Sequence, residues 1–231
     1  MHTAVQCTLL CNVLRCTRVC KTAEVQTESP RARSVDDTRR RILDVALDVL
    51  GHHPDAGMGD IASAAGVVRR TVYGHFPTRT DLVLTLAQQA VDELAAVFDE
   101  VNSSGGAADA LWAAFIARLW PLAHRHRVLL VLRRGEYGEK IHALLRPVDR
   151  KLADLVQQGQ DTGVFGRHLP AHVLSQVAYA TVFSIADSNL SGENVDAAAA
   201  TMTSLLLLGV PEARARALVG SRRPTSSHVG E

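Results

Sequence analysis

From residue 61 to residue 80 the sequence contains no acidic side chain, and the same stretch carries Arg69, Arg70, Thr71, Tyr73, His75 and Arg79. Arginine can pair bidentately with a guanine edge or clamp a phosphate, while threonine and tyrosine hydroxyls anchor phosphate oxygens and set register. This is chemistry for holding a polyanion and reading base edges, with base choice resting mainly on Arg69 and Arg70. The positive charge is local. Residues 33–83 hold seven Lys/Arg and seven Asp, and the whole chain carries a formal net charge of only +1. Any nucleic-acid surface therefore comes from clustering, not from a basic chain overall.

Other chemistries are weaker. All four cysteines, Cys7, Cys11, Cys16 and Cys20, fall in the first 20 of 231 residues. Thiols four apart share a helix face and can present two thiolates together, as a redox or soft-metal sensor would, but the spacing is looser than the usual CxxC zinc pattern. The plainer readings are a disordered arm or a translation start assigned too early. Gly57-Met58-Gly59-Asp60-Ile61-Ala62 fits the dinucleotide pattern GxGxxA, yet residues 51–56 are polar and contain Pro54, where a buried strand should precede it. No helical His pair with a nearby carboxylate and no Ser or Cys nucleophile elbow is found, so neither catalysis nor a cofactor is expected.

The elements that must position the basic cluster read as helices. Aromatics make up 4% of the chain while Ala, Leu and Val abound, which predicts an all-α protein. Residues 1–34 read as a leader ending in a polar linker. A first helix is expected over 36–51, capped by Asp36, Asp37 and Thr38, with Ile42, Ala46 and Val49/Leu50 on its inner face and Arg39, Arg40 and Arg41 exposed near its start. Two short helices, 58–65 and 68–74, follow and stop at Pro77. Within them Ala62 permits close helix crossing, Gly66 can take the left-handed conformation of a tight turn, and Ile61, Ala65, Val67, Val72 and Phe76 form the buried face. The outer face, beginning at Val68, stays free for DNA. A long helix over 81–101, capped by Thr78 or Thr80, then joins a small head (35–93, motif about 56–76) to a helical body (94–220). A disordered tail follows (221–231).

The body is expected to contain helices near 107–124, 127–134, 136–162, 170–188 and 194–208, with Pro121 and Pro147 kinking or breaking theirs. The last two are apolar around most of their circumference, which fits either a core helix pair or a subunit interface. Trp112, Phe115, Trp120, Tyr137, Tyr179 and Phe183 are candidates to line an apolar effector pocket, with Asp187 as its preferred polar anchor and Arg133, Arg134, Glu136 and His142 as further polar groups. No apolar run approaches the roughly 20 residues that span a bilayer, so no membrane partner is expected. The leader, interrupted by Arg15 and Arg18, lacks a signal-peptide cleavage pattern, which makes the cytoplasm the expected location.

Asp60-Ile61-Ala62, Ala65-Gly66-Val67, Thr71-Val72-Tyr73-Gly74-His75-Phe76-Pro77 and Arg79-Thr80-Asp81-Leu82-Val83 closely resemble the head of the TetR family of transcriptional regulators. A weaker likeness, Gly163-Val164-Phe165 through Leu169-Pro170, resembles the loop before the family's dimerising helix pair. The resemblance implies an all-α homodimer whose helix-turn-helix binds a palindromic double-stranded DNA operator, usually as a repressor, and whose body binds a small effector that releases DNA. It also implies phosphate contacts for Tyr73, His75 and Arg79, and groove contacts for residues 68–71. The alternative is a regulator that senses redox state or metal through the leader cysteines. The chain departs from the family pattern at Val68, where a capping Ser is usual, at Gly57, where Thr is usual, and in a turn after the first helix about two residues short.

Overall fold

The computed structural model describes residues 30–188 and 195–220; the leader cysteines Cys7, Cys11, Cys16 and Cys20 lie outside the described residues. Among these residues the chain forms ten helices and no strand: α1 (Pro30–His52), α2 (Met58–Ala64), α3 (Arg69–His75), α4 (Arg79–Ser103), α5 (Ala108–Arg125), α6 (Val128–Leu132), α7 (Gly138–Asp161), α8 (Ala171–Ser188), α9 (Ala197–Leu207) and α10 (Glu212–Gly220). Residues 1–36 and 37–231 form separate compact units, and of the first only the opening turns of α1 are described. Both apolar cores and both candidate sites lie within the second unit.

α1 begins earlier than its acidic residues suggest. Pro30 stands at its first position, where proline lacks only an N–H that would be unpaired anyway. Asp36, Asp37 and Thr38 thus sit inside the helix rather than capping it. Ile42, Leu43, Ala46, Leu47 and Leu50, spaced by three and four, are all buried against α2–α4.

The turn from α2 to α3 is closed by backbone bonds, Gly66 N–H to Ser63 O (3.1 Å) and Val67 N–H to Ala62 O (3.0 Å), and Gly66 takes φ 66° to allow it. Asp60 accepts from the Gly57 N–H at 2.8 Å, which is one half of a capping box. Glycine has no side chain to supply the other half. Val68 likewise caps α3 with its backbone alone. α4 carries the complete device: Thr78 Oγ1 accepts from the Asp81 N–H and Asp81 Oδ2 accepts from the Thr78 N–H. Thr78, not Thr80, is therefore the cap.

Two apolar cores result. The first joins α1, α2, α3 and the first half of α4 with Val128, Leu129 and Leu132 of α6, and with Tyr137 and Ile141. The second contains the rest of α4 and α5, α7, α8, α9 and α10 around Trp112. Trp112 Nε1–H donates to Ser204 Oγ at 2.9 Å, and Ser204 donates to the Ala178 carbonyl, which ties α5, α9 and α8 together at one buried point. At the other end of α5, Asp109 is 3% exposed and accepts from Arg214 of α10.

α5 and α7 run unbroken past Pro121 and Pro147, both exposed, each losing a single helical N–H bond. In the loop before α8, Gly163 turns at φ 75° and Gln160 Nε2 holds the Gly166 and Leu169 carbonyls, while the Phe165 ring presses on Gly159 so closely that a Cβ there would meet it at 2.1 Å. No helix of the described residues is long and apolar enough to cross a membrane.

Candidate nucleic-acid interface and body cavity

The inner and outer faces of the α2–α3 pair separate cleanly. Ile61, Ala62, Ala65, Val72 and Phe76 are buried, with Val67 partly so. Outward stand Val68 (66% exposed), Arg69, Arg70 and Tyr73 (49% exposed), with Thr71 and His75 half-buried. Val72, the one fully buried residue of α3, fixes which way the short helix turns. His75 packs its ring beside Phe76 at 6.3 Å between centroids, and Arg39 of α1 lies over the Phe76 ring at 5.0 Å. Arg39 is thereby held to the head, while Arg40 pairs with Asp37 at 3.2 Å.

Arg69 folds back over α2. A Cβ on Gly59 would stand 2.1 Å from Arg69 Nη2, so glycine at that position admits the guanidinium. Nothing in the local sequence pattern singles Gly59 out for this role.

Arg79 departs from the role the family resemblance implies. Its Nε donates to the Ala56 carbonyl at 3.2 Å, Nη2 to the Pro54 carbonyl, and Nη1 to the Tyr137 hydroxyl at 2.7 Å; Glu136 stands 3.8 Å away, and the guanidinium lies 5.6 Å from the Tyr137 ring centroid. The physical reason is position: at the first turn of α4 the side chain meets the loop carbonyls after α1, and its donors are used inside the protein. Arg69, Arg70, Thr71, Tyr73 and His75 remain as the outward polar set.

Beside the head core, α4, α5, α6, α7 and α8 line a partly open apolar cavity of about 60 Å³, counted as room for the centres of water-sized spheres. Its wall includes Ala87, Ala90, Val91 and Leu94 of α4, Leu119 and Leu122 of α5, Ile141 and Leu145 of α7, and Tyr179 and Phe183 of α8, with His126 and Arg133 as the ionisable groups besides Tyr179. Tyr179 and Phe183, expected as lining residues, are there, edge to face at 5.0 Å. Four other expected residues are not. Trp112 and Phe115 fill the body core, in T-shaped contact with each other: Trp112 faces Ser204 of α9 and the Phe165 ring, and Phe115 packs edge to face on Phe98 of α4. Trp120 packs against His124 at 4.6 Å. Tyr137 belongs to the head core and bonds Arg79. The side chain of Asp187 lies outside the described residues.

His126 was legible only as one more polar residue after an apolar helix, yet it caps the end of α5 and lines the cavity together with Leu119 and Leu122. It is 6% exposed; Nε2 lies 3.0 Å from Glu93 Oε2, and Nδ1 is buried with no hydrogen-bond partner. A second, polar recess shares Arg133, Leu145 and Tyr179 with the cavity and adds His142, Asp149 and Gln176. Burial pushes the Tyr179 phenol up, keeping it protonated at ordinary pH. Burial also raises the Asp149 carboxyl, against the opposing pull of His142 and Arg133. Among the described residues no three His, Cys, Asp or Glu side chains gather as a metal site would require.

Comparison with known proteins agrees with this arrangement. Residues 42–86 match the family model described as "Bacterial regulatory proteins, tetR family". The chain is 48% identical over 73 residues to the HTH-type transcriptional repressor LfrR of Mycolicibacterium smegmatis, a match covering 32% of this chain and 39% of that repressor, so it spans well under half of that relative's length. It is 26% identical over 170 residues to the HTH-type transcriptional regulator EthR of Mycobacterium tuberculosis, covering 66% of this chain and 78% of EthR. The solved structure of LfrR from Mycobacterium smegmatis in complex with proflavine superposes with a TM-score of 0.60 at 28% identity, over 76% of this chain and 96% of that one.

Proposed function

We propose that this chain, whose residues 42–86 match the tetR family of bacterial regulatory proteins, is a cytoplasmic, ligand-responsive repressor of that family that binds a palindromic operator as a homodimer and lets go when a small molecule enters the body cavity. One observation carries the reading most of the way. A short helix with an exposed arginine and hydroxyl face, free of acidic residues, is built onto the same core as a segment bordering a largely apolar cavity. The shared elements are α4 and α6–α7: Ile141 belongs to the head core and also lines the cavity. A ligand that displaces Ile141 acts directly on the packing that orients α3.

Dimerisation through α8 and α9 is supported by large apolar side chains left exposed on both, Val177 at 43% and Leu206 at 44%. Two copies related by a two-fold axis would present two copies of α3 to half-sites about one helical turn, or somewhat more, apart. LfrR was solved in complex with proflavine, which supports a small-molecule effector here without naming it.

The test is genome-wide footprinting with the purified full chain, followed by sizing of the protein alone and on a recovered site. The expected result is a palindromic footprint, two chains per site, and affinity that falls steeply with salt. A monomer at micromolar concentration, or protection without symmetry, would overturn the proposal.

A further inference from the structure

We infer that the body cavity takes an apolar organic acid, a hydrophobic molecule bearing one carboxyl group that is received by Arg133 and His126. This rests on the reading of the cavity as the effector site and specifies what enters it.

The wall is aliphatic apart from Phe183, Tyr179, His126 and Arg133, and no Asp or Glu is among the lining residues. The charge presented to a guest is therefore positive or neutral. Arg133 is half-buried, and among the described residues its guanidinium has no carboxylate within 4.0 Å and no hydrogen-bond acceptor. Asp149, the carboxylate that Arg133 attracts, is not within ion-pair distance, so this partly desolvated cation can still receive an anionic guest.

His126 adds a second polar contact of its own. Its Nε2 edge faces Glu93, a carboxylate that only accepts, so Nε2 carries the proton. Glu93 does not line the cavity, and the buried Nδ1 is left unpaired. An unpaired buried nitrogen is costly and wants a guest atom. A carboxyl group fits whichever state the ring is in: an undissociated acid donates to the neutral ring, and a carboxylate accepts from the charged one. An ammonium can donate to a neutral Nδ1, but the Arg133 guanidinium beside it repels the added positive charge. The nearest carboxylate on this side, Asp149, belongs to the adjoining polar recess, where His142 and Arg133 face it.

The experiment titrates the full chain with three probes sharing one apolar body, octanoate, 1-octanol and octylammonium, by calorimetry, in the wild type and in Arg133→Gln. Octanoate is expected to bind at least tenfold more tightly than octylammonium. Arg133→Gln should weaken octanoate about tenfold or more while changing octanol less than threefold, and the octanol result shows that the variant is folded with its cavity intact. If octanol binds but octanoate is no better than octylammonium, or Arg133→Gln leaves octanoate unchanged, the acid assignment is wrong and the cavity reading stands. If none of the three binds, both fail together.

Discussion

The hydroxyl of Tyr137 accepts a hydrogen bond from Arg79 Nη1 at 2.7 Å, joining the start of α4 to the loop before α7 across 58 positions of sequence. The same guanidinium holds the Pro54 and Ala56 carbonyls, so one side chain fastens the loop after α1, the first turn of α4 and the α6–α7 segment. Burial raises the Tyr137 phenol above its usual value, as does Glu136, with Arg79 pulling the other way. The group therefore acts at neutral pH as a hydroxyl.

Tyr137→Phe keeps the buried ring and deletes that acceptor. Because the donor is charged, the loss is expected to be about 1.5–3 kcal/mol before water compensates. Urea unfolding should show a lower midpoint with an unchanged slope. A midpoint equal to wild type would mean the guanidinium is held well enough by its two carbonyls alone.

Two glycines of the α2–α3 hairpin should respond to alanine with opposite signs. Gly66 is at φ 66°, where a Cβ meets no neighbour but the backbone itself is strained, so Gly66→Ala should cost about 1–2 kcal/mol. Gly74 lies inside α3 with open space around its Cα, so Gly74→Ala should gain about 0.5–1 kcal/mol through helix propensity. Thermal melts of the two variants decide it. Equal shifts of one sign would contradict the assigned turn.

The head was readable in sequence because its spacing is local. Small, turn and apolar residues at fixed offsets in 61–76 specify which face is buried, and the long-range packing only confirms it. The body was less readable. Trp112, Phe115 and Trp120 share a helix with the lining residues Leu119 and Leu122, and helical spacing alone does not say which side meets α9 and which meets the cavity. Arg79 shows a further limit: the family pattern gives its residue type, but its acceptors, Tyr137 above all, come from a part of the chain where sequence spacing carries no contact information. α10 was missed outright. Its buried positions, Ala215 and Leu218, are too few to make a stripe, and it is anchored as well by the Arg214–Asp109 pair.

On DNA, Arg70 and Tyr73 should fail differently. Arg70 is exposed and has no acidic neighbour in 61–80, so Arg70→Ala should cost roughly 1–3 kcal/mol at one base position and relax preference there. Tyr73→Phe should weaken all operator variants alike, as loss of a phosphate contact does. Binding titrations against a panel of single-base operator variants separate the two. Uniform losses for Arg70→Ala would remove it from base reading.

Asp149 offers a pH test whose sign is set by its surroundings. Its pKa is raised, burial outweighing the attraction of His142 and Arg133. A raised native pKa means that the folded state favours the protonated acid. The stability it contributes is complete below the ordinary carboxylate pKa and is lost as pH rises through the native value. At neutral pH the ionised, partly buried carboxylate is thus a net burden, and Asp149→Asn, neutral and nearly isosteric, removes it. The variant should melt higher than wild type at pH 7, and the gap should close as the pH is lowered toward about 4, near the ordinary carboxylate value. Since Asp149 also adjoins the cavity mouth beside Arg133, the same substitution should tighten octanoate at pH 7 and leave octanol unchanged. A variant that melts lower than wild type at pH 7 would show that the ionised carboxylate is held by His142 and Arg133 more strongly than burial opposes it, and the order of those two effects would have to be reversed.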